Sequence, residues 1–371
     1  MEGLRAMARE RGVQEPARRR IRVLIVDDSV VIRHFLSHAL EDDPELEVVG
    51  FAANGQLALS KAAALNPDVI TMDIEMPEMD GLATVHQLRR AGSRARIVMC
   101  STLTTRGASA TVEALLGGAN DYVTKPSGND PGSEAFATLR QELIPKVKQF
   151  FARVAAAPGL VRPQAPAGVR SSGLTRAILK DRSVVAIGVS TGGPTALMQL
   201  LPRLPASLPV PVLIVQHMPP FFTRQLAERL NSQCPLEVLE AAQGTEVKAG
   251  RVLLAPGDFH MRLRRSGEQV TVALDQEAQE NSCRPAVDVL FRSVAEVYGA
   301  RALGVILTGM GQDGLLGAER LKARGGYVIA QDRESSVVWG MPGAVAEAGL
   351  ADAVLGLNEV AAEILRGSCA R

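Results

Sequence analysis

Three polar residues, each at the end of an apolar run in the second half of the chain, could together carry out acyl transfer. Ser190 follows the run VVAIGV, His217 follows VPVLIVQ, and Asp313 lies in the glycine-rich loop after ALGVIL. The carboxyl ends of parallel strands lie along one edge of a sheet, so the three side chains can converge on one crevice. We expect Ser190 to act as the nucleophile, His217 as the general base and then acid, and Asp313 as the group that orients the imidazole.

These positions have competing interpretations. A histidine after a strand is often structural, and an aspartate in a glycine-rich loop often forms a turn. His260 is a rival general base, and Asp288 and Asp332 are rival acids. The order serine, histidine, aspartate also differs from that of the α/β-hydrolase fold, in which the acid precedes the histidine, so the sequence does not indicate that fold.

The turn that carries Ser190, G-V-S-T-G before a predicted helix, would suit a phosphate as well as an oxyanion. A nucleotide-binding domain is disfavoured, because the chain has neither a G-x-x-x-x-G-K-[ST] loop nor an acidic residue at the spacing of a dinucleotide-binding fold. A further alternative is a binding module without chemistry. The substitution Ser190→Ala separates an esterase from a binding module, because only an esterase should lose its effect on the receptor when the nucleophile is removed.

A second group of chemistry-bearing residues ends the apolar runs of the first half of the chain. In chain order they are Asp27, Asp28, Asp73, Ser101 and Lys125. Three carboxylates at one sheet edge would repel each other unless a hard divalent cation lay among them, and Mg²⁺ prefers oxygen ligands. A lysine and a hydroxyl opposite them could stabilise a phosphoryl group on one aspartate. The pattern therefore predicts a magnesium-dependent phosphorylation site.

Other metal sites and disulfide bonds are not indicated. His34 and His38 are spaced like two ligands on a predicted helix, but no third ligand is evident, so we interpret both as helix surface residues. The four cysteines form no C-x-x-C pair, and the second half contains no Cys/His cluster. We expect a reduced, cytoplasmic protein whose hydrolytic half needs no cofactor.

Composition argues against several classes of protein. A formal net charge of +1 gives no reason to expect nucleic-acid binding, which usually requires a basic face. The chain has no run of about 18 apolar residues, so we do not expect it to be embedded in a membrane. Its arginine-rich N-terminus lacks the apolar segment of a secretory signal.

The apolar pattern divides the chain into two α/β halves. Residues 1–20 contain six arginines and no periodic apolar pattern, which predicts a disordered basic tail. Residues 21–150 alternate five predicted strands with five helices, which is typical of a doubly wound parallel sheet. Residues 151–182 are rich in Ala, Pro, Gly, Arg and Ser and are predicted to be a linker, with a short helix at Leu174–Leu179. Residues 183–371 repeat the alternation, so a second doubly wound α/β domain is predicted there.

The predicted elements place both groups of site residues at strand ends. The predicted strands cover residues 21–26, 46–52, 69–72, 97–100, 120–124, 184–189, 210–215, 252–255, 270–273, 302–307 and 327–330. The predicted helices cover residues 30–42, 54–65, 82–91, 106–117, 133–151, 193–202, 222–231, 285–298, 314–323 and 341–348.

The first half closely resembles the response-regulator receiver family over residues 21–150. The motifs that carry the resemblance are VDDS (26–29), DIEMPEMDG (73–81), the switch hydroxyl Ser101 and DYVTKP (121–126). The family implies that Asp73 accepts a phosphoryl group from a histidine kinase and that Lys125 pairs with that group. It also implies that Asp27, Asp28 and Asp73 hold Mg²⁺ together with the backbone carbonyl of Glu75.

The second half resembles the catalytic domain of the chemotaxis protein-glutamate methylesterases over residues 184–366. The matching motifs are IGVSTGGP (187–194), VQHMP (215–219), LAPGDFHM (254–261), RPAVDVLF (284–291), TGMGQDG (308–314) and QDRESSVVWGMPGAV (331–345). The resemblance implies hydrolysis of γ-glutamyl methyl esters on methyl-accepting chemoreceptors to glutamate and methanol, and, in some members, deamidation of receptor glutamines. It also implies that Thr191 and Met310 shape the oxyanion region beside Ser190.

The two-part architecture leads to a regulatory hypothesis. A linker of about 30 residues is long enough for one domain to dock on the other and to leave it. We expect the unphosphorylated receiver to cover the Ser190 crevice, and phosphorylation of Asp73 to weaken that docking because it adds about −1.5 to −2 charges.

Overall fold

The structure, a computed structural model, describes residues 19–102, 104–125, 134–151 and 182–368. The predicted tail and linker lie almost wholly outside the described residues, as does the predicted helix at Leu174–Leu179. The boundaries assigned to these segments therefore stay predictions.

The first half folds around a five-stranded parallel sheet in the order β2-β1-β3-β4-β5. Its strands are β1 (Ile21–Val26), β2 (Leu46–Ala52), β3 (Val69–Asp73), β4 (Arg96–Ser101) and β5 (Asp121–Thr124). Its helices are α1 (Val30–Glu41), α2 (Gly55–Leu65), α3 (Gly81–Arg90), α4 (Thr105–Leu116) and α5 (Glu134–Lys148). The predicted doubly wound fold is confirmed, and the reversal of strand order between β1 and β3 opens a crevice at their carboxyl ends.

Local sequence explains where these helices begin. Helices α1 to α4 each follow a residue whose side chain accepts a hydrogen bond from a backbone N–H three residues further on; these are Ser29, Asn54, Asp80 and Thr104. The central strands read as continuous apolar runs because helices cover both faces of the sheet.

The second half contains a seven-stranded parallel sheet in the order β14-β13-β12-β6-β7-β9-β8. Its strands are β6 (Val184–Val189), β7 (Val212–Gln216), β8 (Glu237–Glu240), β9 (Arg251–Leu254), β12 (Ala302–Ile306), β13 (Tyr327–Gln331) and β14 (Ala353–Leu355). The helices are α6 (Gly193–Leu200), α7 (Phe222–Asn231), α8 (Val287–Tyr298), α9 (Leu315–Ala323), α10 (Met341–Glu347) and α11 (Leu357–Ser368). Strands β12, β6 and β7 are neighbours at the centre, and the order reverses between β6 and β12, so their carboxyl ends surround one crevice.

Sequence reasoning missed several elements of this half. Strand β8 is short and begins and ends with glutamate, β14 has three residues, and α11 was not predicted. The predicted strand at 270–273 exists, but it belongs to β11 (Gln269–Asp275), which pairs with β10 (His260–Ser266) in an antiparallel hairpin outside the main sheet. In β10, buried Met261 and Leu263 alternate with the more exposed Arg262 and Arg264, which is the pattern of a strand with one solvated face.

Within the described residues, no helix is both long and apolar enough to cross a membrane.

Candidate active site

Ser190 lies directly after β6, in a turn that is tied to both neighbouring strands. Its backbone N–H donates to the carbonyl of Thr308 after β12, at 3.0 Å. Its carbonyl accepts hydrogen bonds from the N–H of Gly193 at 2.8 Å and from Nε2 of Gln216 on β7 at 3.0 Å. Gly192 supplies the left-handed backbone that the turn needs, with φ of 78°. Helix α6 starts at the next residue with no side-chain cap, so its positive dipole end lies beside Ser190.

His217 follows β7 and contacts Asp313 directly. Nε2 of His217 lies 2.8 Å from Oδ2 of Asp313. A carboxylate can only accept a hydrogen bond, so Nε2 carries the proton and Nδ1 is the ring nitrogen that can accept one.

Asp313 is anchored at the N-terminus of α8. Oδ2 of Asp313 also accepts from the N–H of Val287 at 2.7 Å, and Oδ1 accepts from the N–H of Asp288 at 3.0 Å. Backbone donors and the helix dipole therefore stabilise the charged carboxylate, which is 2 % exposed. The anchor fixes the orientation of the carboxylate that faces His217.

Contact between His217 and Asp313 shifts their pKa values in opposite directions. Burial alone would lower the pKa of His217, but its hydrogen bond with Asp313 and its interaction with the nearby Cys283 raise that pKa to about 10. Burial would raise the pKa of Asp313, but the hydrogen bond and charge of His217 hold it below its ordinary value. Asp313 thus favours the imidazolium form, which is the form that a general base acquires during the reaction.

Ser190 and His217 line the same cavity of about 1120 Å³, together with Met310 and Cys283. Within the described part of the chain, no hydrogen bond joins the Ser190 hydroxyl to the imidazole. Catalytic hydrogen bonds are often long before substrate binds, so the shared cavity remains compatible with a serine nucleophile.

The rival residues occupy structural positions. His260 is fully buried, and its two ring nitrogens lie 3.0 Å from the carbonyl of Ala278 and 3.3 Å from the N–H of Ala286. Asp332 accepts hydrogen bonds from the backbone and hydroxyl of Ser335 in a local turn. Neither residue lines the cavity.

Thr191, predicted to help shape the oxyanion region, contacts the first half of the chain. Its hydroxyl donates to Oδ2 of Asp121 at 2.7 Å, and Nε2 of Gln149 donates to the same oxygen at 2.9 Å. Asp121 is 4 % exposed and starts β5. The hydroxyl beside the candidate nucleophile is therefore engaged by a carboxylate of the first half. Met310 is half-exposed at the cavity wall.

Two further contacts join the halves around this cavity. The ring of Tyr122 on β5 stacks on Phe222 at the start of α7, with ring centroids 5.0 Å apart. The hydroxyl of Thr195 on α6 donates to the carbonyl of Leu115 at the end of α4, at 2.9 Å. The face of the first half made by α4, β5 and α5 thus lies over the turn that carries Ser190.

The other group of site residues meets at the carboxyl edge of the first sheet. Nζ of Lys125 lies 2.7 Å from both Oδ2 of Asp27 and Oδ1 of Asp73. Carboxylate oxygens of Asp27, Asp28 and Asp73 all lie within 4.8 Å of one another. Ser101, 1 % exposed, hydrogen-bonds to the carbonyl of Gly107 at 3.2 Å.

Burial and charge work against each other at Asp73. Burial and the charge of Asp27 raise the pKa of Asp73, while Lys125 lowers it, and the balance leaves that pKa raised to about 6. An all-oxygen set of three carboxylates fits Mg²⁺. The side chain of Glu75 is exposed and lies 3.5 Å from Arg106. The backbone carbonyl of Glu75 stays a predicted ligand.

The structure adds residues to which sequence reasoning assigned no role. Asp121 stood inside a recognised motif but had no predicted function. Asn281 and Cys283 lie between two recognised motifs, and no periodicity or spacing marks them. Asp288, considered as a rival to Asp313, instead lies beside it.

Each half of the chain matches a known protein family. The sequence matches the CheB methylesterase family over residues 185–364 and the response regulator receiver domain family over residues 23–136. A relative from Trichodesmium erythraeum, described as protein-glutamate methylesterase/protein-glutamine glutaminase, is 50 % identical over 348 residues, which cover 94 % of this chain and 99 % of the relative. A relative from a Nocardioides species with the same description is 50 % identical, covering 93 % of this chain and 95 % of the relative.

Among solved structures, the crystal structure of the Thermotoga maritima CheB methylesterase catalytic domain is 47 % identical. The matched region covers 50 % of this chain and 97 % of the Thermotoga maritima chain, with a TM-score of 0.49.

Proposed function

The chain belongs to the CheB methylesterase family, with an N-terminal response regulator receiver domain, and we propose that it hydrolyses glutamate γ-methyl esters of methyl-accepting chemoreceptors under control of that receiver. It is a carboxyl-ester hydrolase. We assign it to adaptation in a chemosensory pathway of the cytoplasm, with a histidine kinase as phosphodonor.

The reaction is assigned to Ser190, His217 and Asp313. The Ser190 hydroxyl attacks the ester carbonyl carbon while Nδ1 of His217 takes its proton, and Asp313 stabilises the resulting imidazolium. The imidazolium returns that proton to the leaving oxygen, so methanol departs and glutamyl-serine remains. Water, deprotonated by His217, then releases glutamate and restores the serine. A receptor glutamine would follow the same steps with ammonia as the leaving group.

The observation that carries this proposal is the 2.8 Å contact between His217 and Asp313 at a cavity that Ser190 lines. The test is release of methanol from methylated chemoreceptor membranes by the full chain, with a small-molecule phosphodonor and Mg²⁺. Absence of methanol from receptors of several sensory classes would contradict the proposal.

The receiver is assigned the role of an inhibitory cover. Its support is the hydrogen bond from Thr191 to Asp121 and the stacking of Tyr122 on Phe222, both beside the turn that carries Ser190. Phosphorylation of Asp73 would place new charge next to Lys125, which now pairs with Asp73. Asp27, Asp28 and Asp73 would hold Mg²⁺, which neutralises negative charge during phosphoryl transfer.

Breaking the contact between Thr191 and Asp121 should activate the unphosphorylated enzyme. Asp121→Ala removes a buried, charged acceptor, so we expect methanol release without phosphodonor to rise about 10- to 100-fold. Asp121→Asn keeps an acceptor for Thr191 and should give a smaller rise. A rate for Asp121→Ala equal to that of the wild type would show that this contact does not restrain the enzyme.

The pH dependence should reveal the raised pKa of His217. The general base must be neutral, and Asp313 raises the pKa of His217 above its ordinary value of 6.5, so kcat/KM is retained above the raised pKa and lost as the pH falls through it. We expect the acid limb of kcat/KM for methanol release to lie above pH 6.5 when measured with the phosphodonor present. If kcat/KM stayed unchanged from pH 9 down to about pH 6, His217 would not be the general base.

A further inference from the structure

A tight turn lies next to the candidate triad and contains two residues with left-handed backbone. Asn281 has φ of 52° and Ser282 has φ of 61°. Glu280 and Cys283 flank them and exchange two backbone hydrogen bonds of 3.2 Å and 2.9 Å, which makes a two-residue hairpin. Such hairpins require positive φ at both central positions and favour asparagine there. Turn geometry alone could therefore account for the residue type at 281.

The side chain of Asn281 does more than the turn requires. Its Nδ2 lies 3.0 Å from Oδ1 of Asp313 and 2.9 Å from Oδ2 of Asp288. Carboxylates only accept hydrogen bonds, so the amide nitrogen, and not the amide oxygen, must face both of them. Each of the two amide protons thus bonds one carboxylate, and the side chain bridges the pair.

The second carboxylate is itself held firmly. Asp288 is 1 % exposed, and its Oδ1 accepts from the N–H of Gly317 in α9 at 2.6 Å. Burial, and then the charge of Asp313, raise the pKa of Asp288. Asn281 therefore connects Asp313 to a fixed point of the fold and separates two carboxylates that repel each other.

Few other charged groups face this pair among the described residues. His217 contacts Asp313 from the loop after β7. Arg292 of α8 interacts electrostatically with both carboxylates while it pairs with Glu280 at 2.5 Å. The remaining ionisable neighbour is the Cys283 thiol against His217.

We propose that Asn281 is a positioning residue for the hydrolytic reaction. Its amide, braced by Asp288, holds the Asp313 carboxylate in the orientation that directs His217. The proposal rests on the triad assigned above. Asn281 does not touch the reacting atoms, so it should affect the chemical step and leave ester binding unchanged.

Two substitutions separate this role from that of a turn former. Asn281→Gly keeps the positive φ and removes the amide, and Asn281→Asp keeps both φ and volume but replaces a donor with an acceptor. In the full chain with phosphodonor and Mg²⁺, Asn281→Gly should lower kcat for methanol release about 10- to 100-fold, with KM unchanged. The acid limb of the pH profile of Asn281→Gly should move to higher pH. Asp313 loses a hydrogen-bond donor that shares its charge, so its carboxylate stabilises the imidazolium more strongly. Asn281→Asp should show a larger loss and a larger shift.

The matched control is Ser282→Gly, which relaxes the same turn and keeps the amide, and should retain the wild-type kcat. A wild-type kcat for Asn281→Gly would overturn the proposal, as would equal losses in Asn281→Gly and Ser282→Gly. A lowered kcat with an unmoved acid limb in both Asn281 variants would overturn it too. Thermal unfolding of each variant identifies a loss of activity that is caused by misfolding. If Asn281→Gly is misfolded, the kcat and pH profile of Asn281→Asp decide the outcome. If Ser190→Ala keeps hydrolysis in the same assay, the triad fails and not this inference alone.

Discussion

Replacement of Ser190 by alanine should abolish methanol release from methylated receptors. The residue lies at the end of β6 beside an uncapped helix N-terminus, and it lines the cavity that His217 also lines. Loss of a serine nucleophile removes the acyl-enzyme route altogether, and in a serine hydrolase it lowers kcat by about 10⁶-fold. We expect methanol release by Ser190→Ala to fall about 10⁶-fold, with and without phosphodonor, in a direct assay of volatile methanol.

A suitable control is Ser266→Ala, which changes an exposed serine at the tip of the β10–β11 hairpin, remote from the cavity. Its rate should equal that of the wild type. If Ser190→Ala retained more than a few per cent of the wild-type rate, another nucleophile would have to be sought. If it retained its effect on receptor signalling without hydrolysis, the second domain would act as a binding module.

Replacement of Asp73 by asparagine should remove the response to phosphodonor. Asp73 lies 2.7 Å from Lys125 at the carboxyl edge of the first sheet and within the carboxylate cluster that suits Mg²⁺. An amide cannot accept the phosphoryl group as a carboxylate does. Coupling between two sites typically amounts to about 5- to 150-fold. We expect stimulation of methanol release of that size in the wild type and none in Asp73→Asn.

The control for this measurement is Asp42→Asn, an exposed carboxylate of the same half that pairs with Arg140 at 3.1 Å. Exposed pairs contribute little, so stimulation should persist. Persistent stimulation of Asp73→Asn would mean that the phosphoryl group is accepted elsewhere. The double variant Asp73→Asn/Asp121→Ala should keep the raised methanol release of Asp121→Ala without phosphodonor, because loss of the Thr191 contact would release the enzyme independently of Asp73.

Both predictions depend on positions that the sequence indicates well. Alternating apolar runs and helices predict two parallel sheets, and a parallel sheet collects its strand ends at one edge. Ser190, His217 and Asp313 therefore had to lie near one another once β6, β7 and β12 were neighbours. The same reasoning brings Asp27 and Asp73 to one edge of the first sheet.

Elements with weak local signals were less predictable. Strand β14 has only three residues. It is stabilised by pairing with β13, and its own sequence carries little strand signal. The strand at 270–273 was predicted, but its antiparallel partner β10 was not, because the apolar residues of a strand do not reveal whether its partner is parallel or antiparallel.

The sequence by itself determined the fold class, the family and the strand-end placement of the candidate triad and phosphorylation site, because these depend on local periodicity and on short motifs. Only the tertiary structure decided which side chains contact them. Asn281 and Asp288 meet Asp313 because α8 begins beside the loop after β12, and Asp121 meets Thr191 across 70 residues of chain. Such contacts arise when separate elements pack together, and no spacing along the chain specifies them.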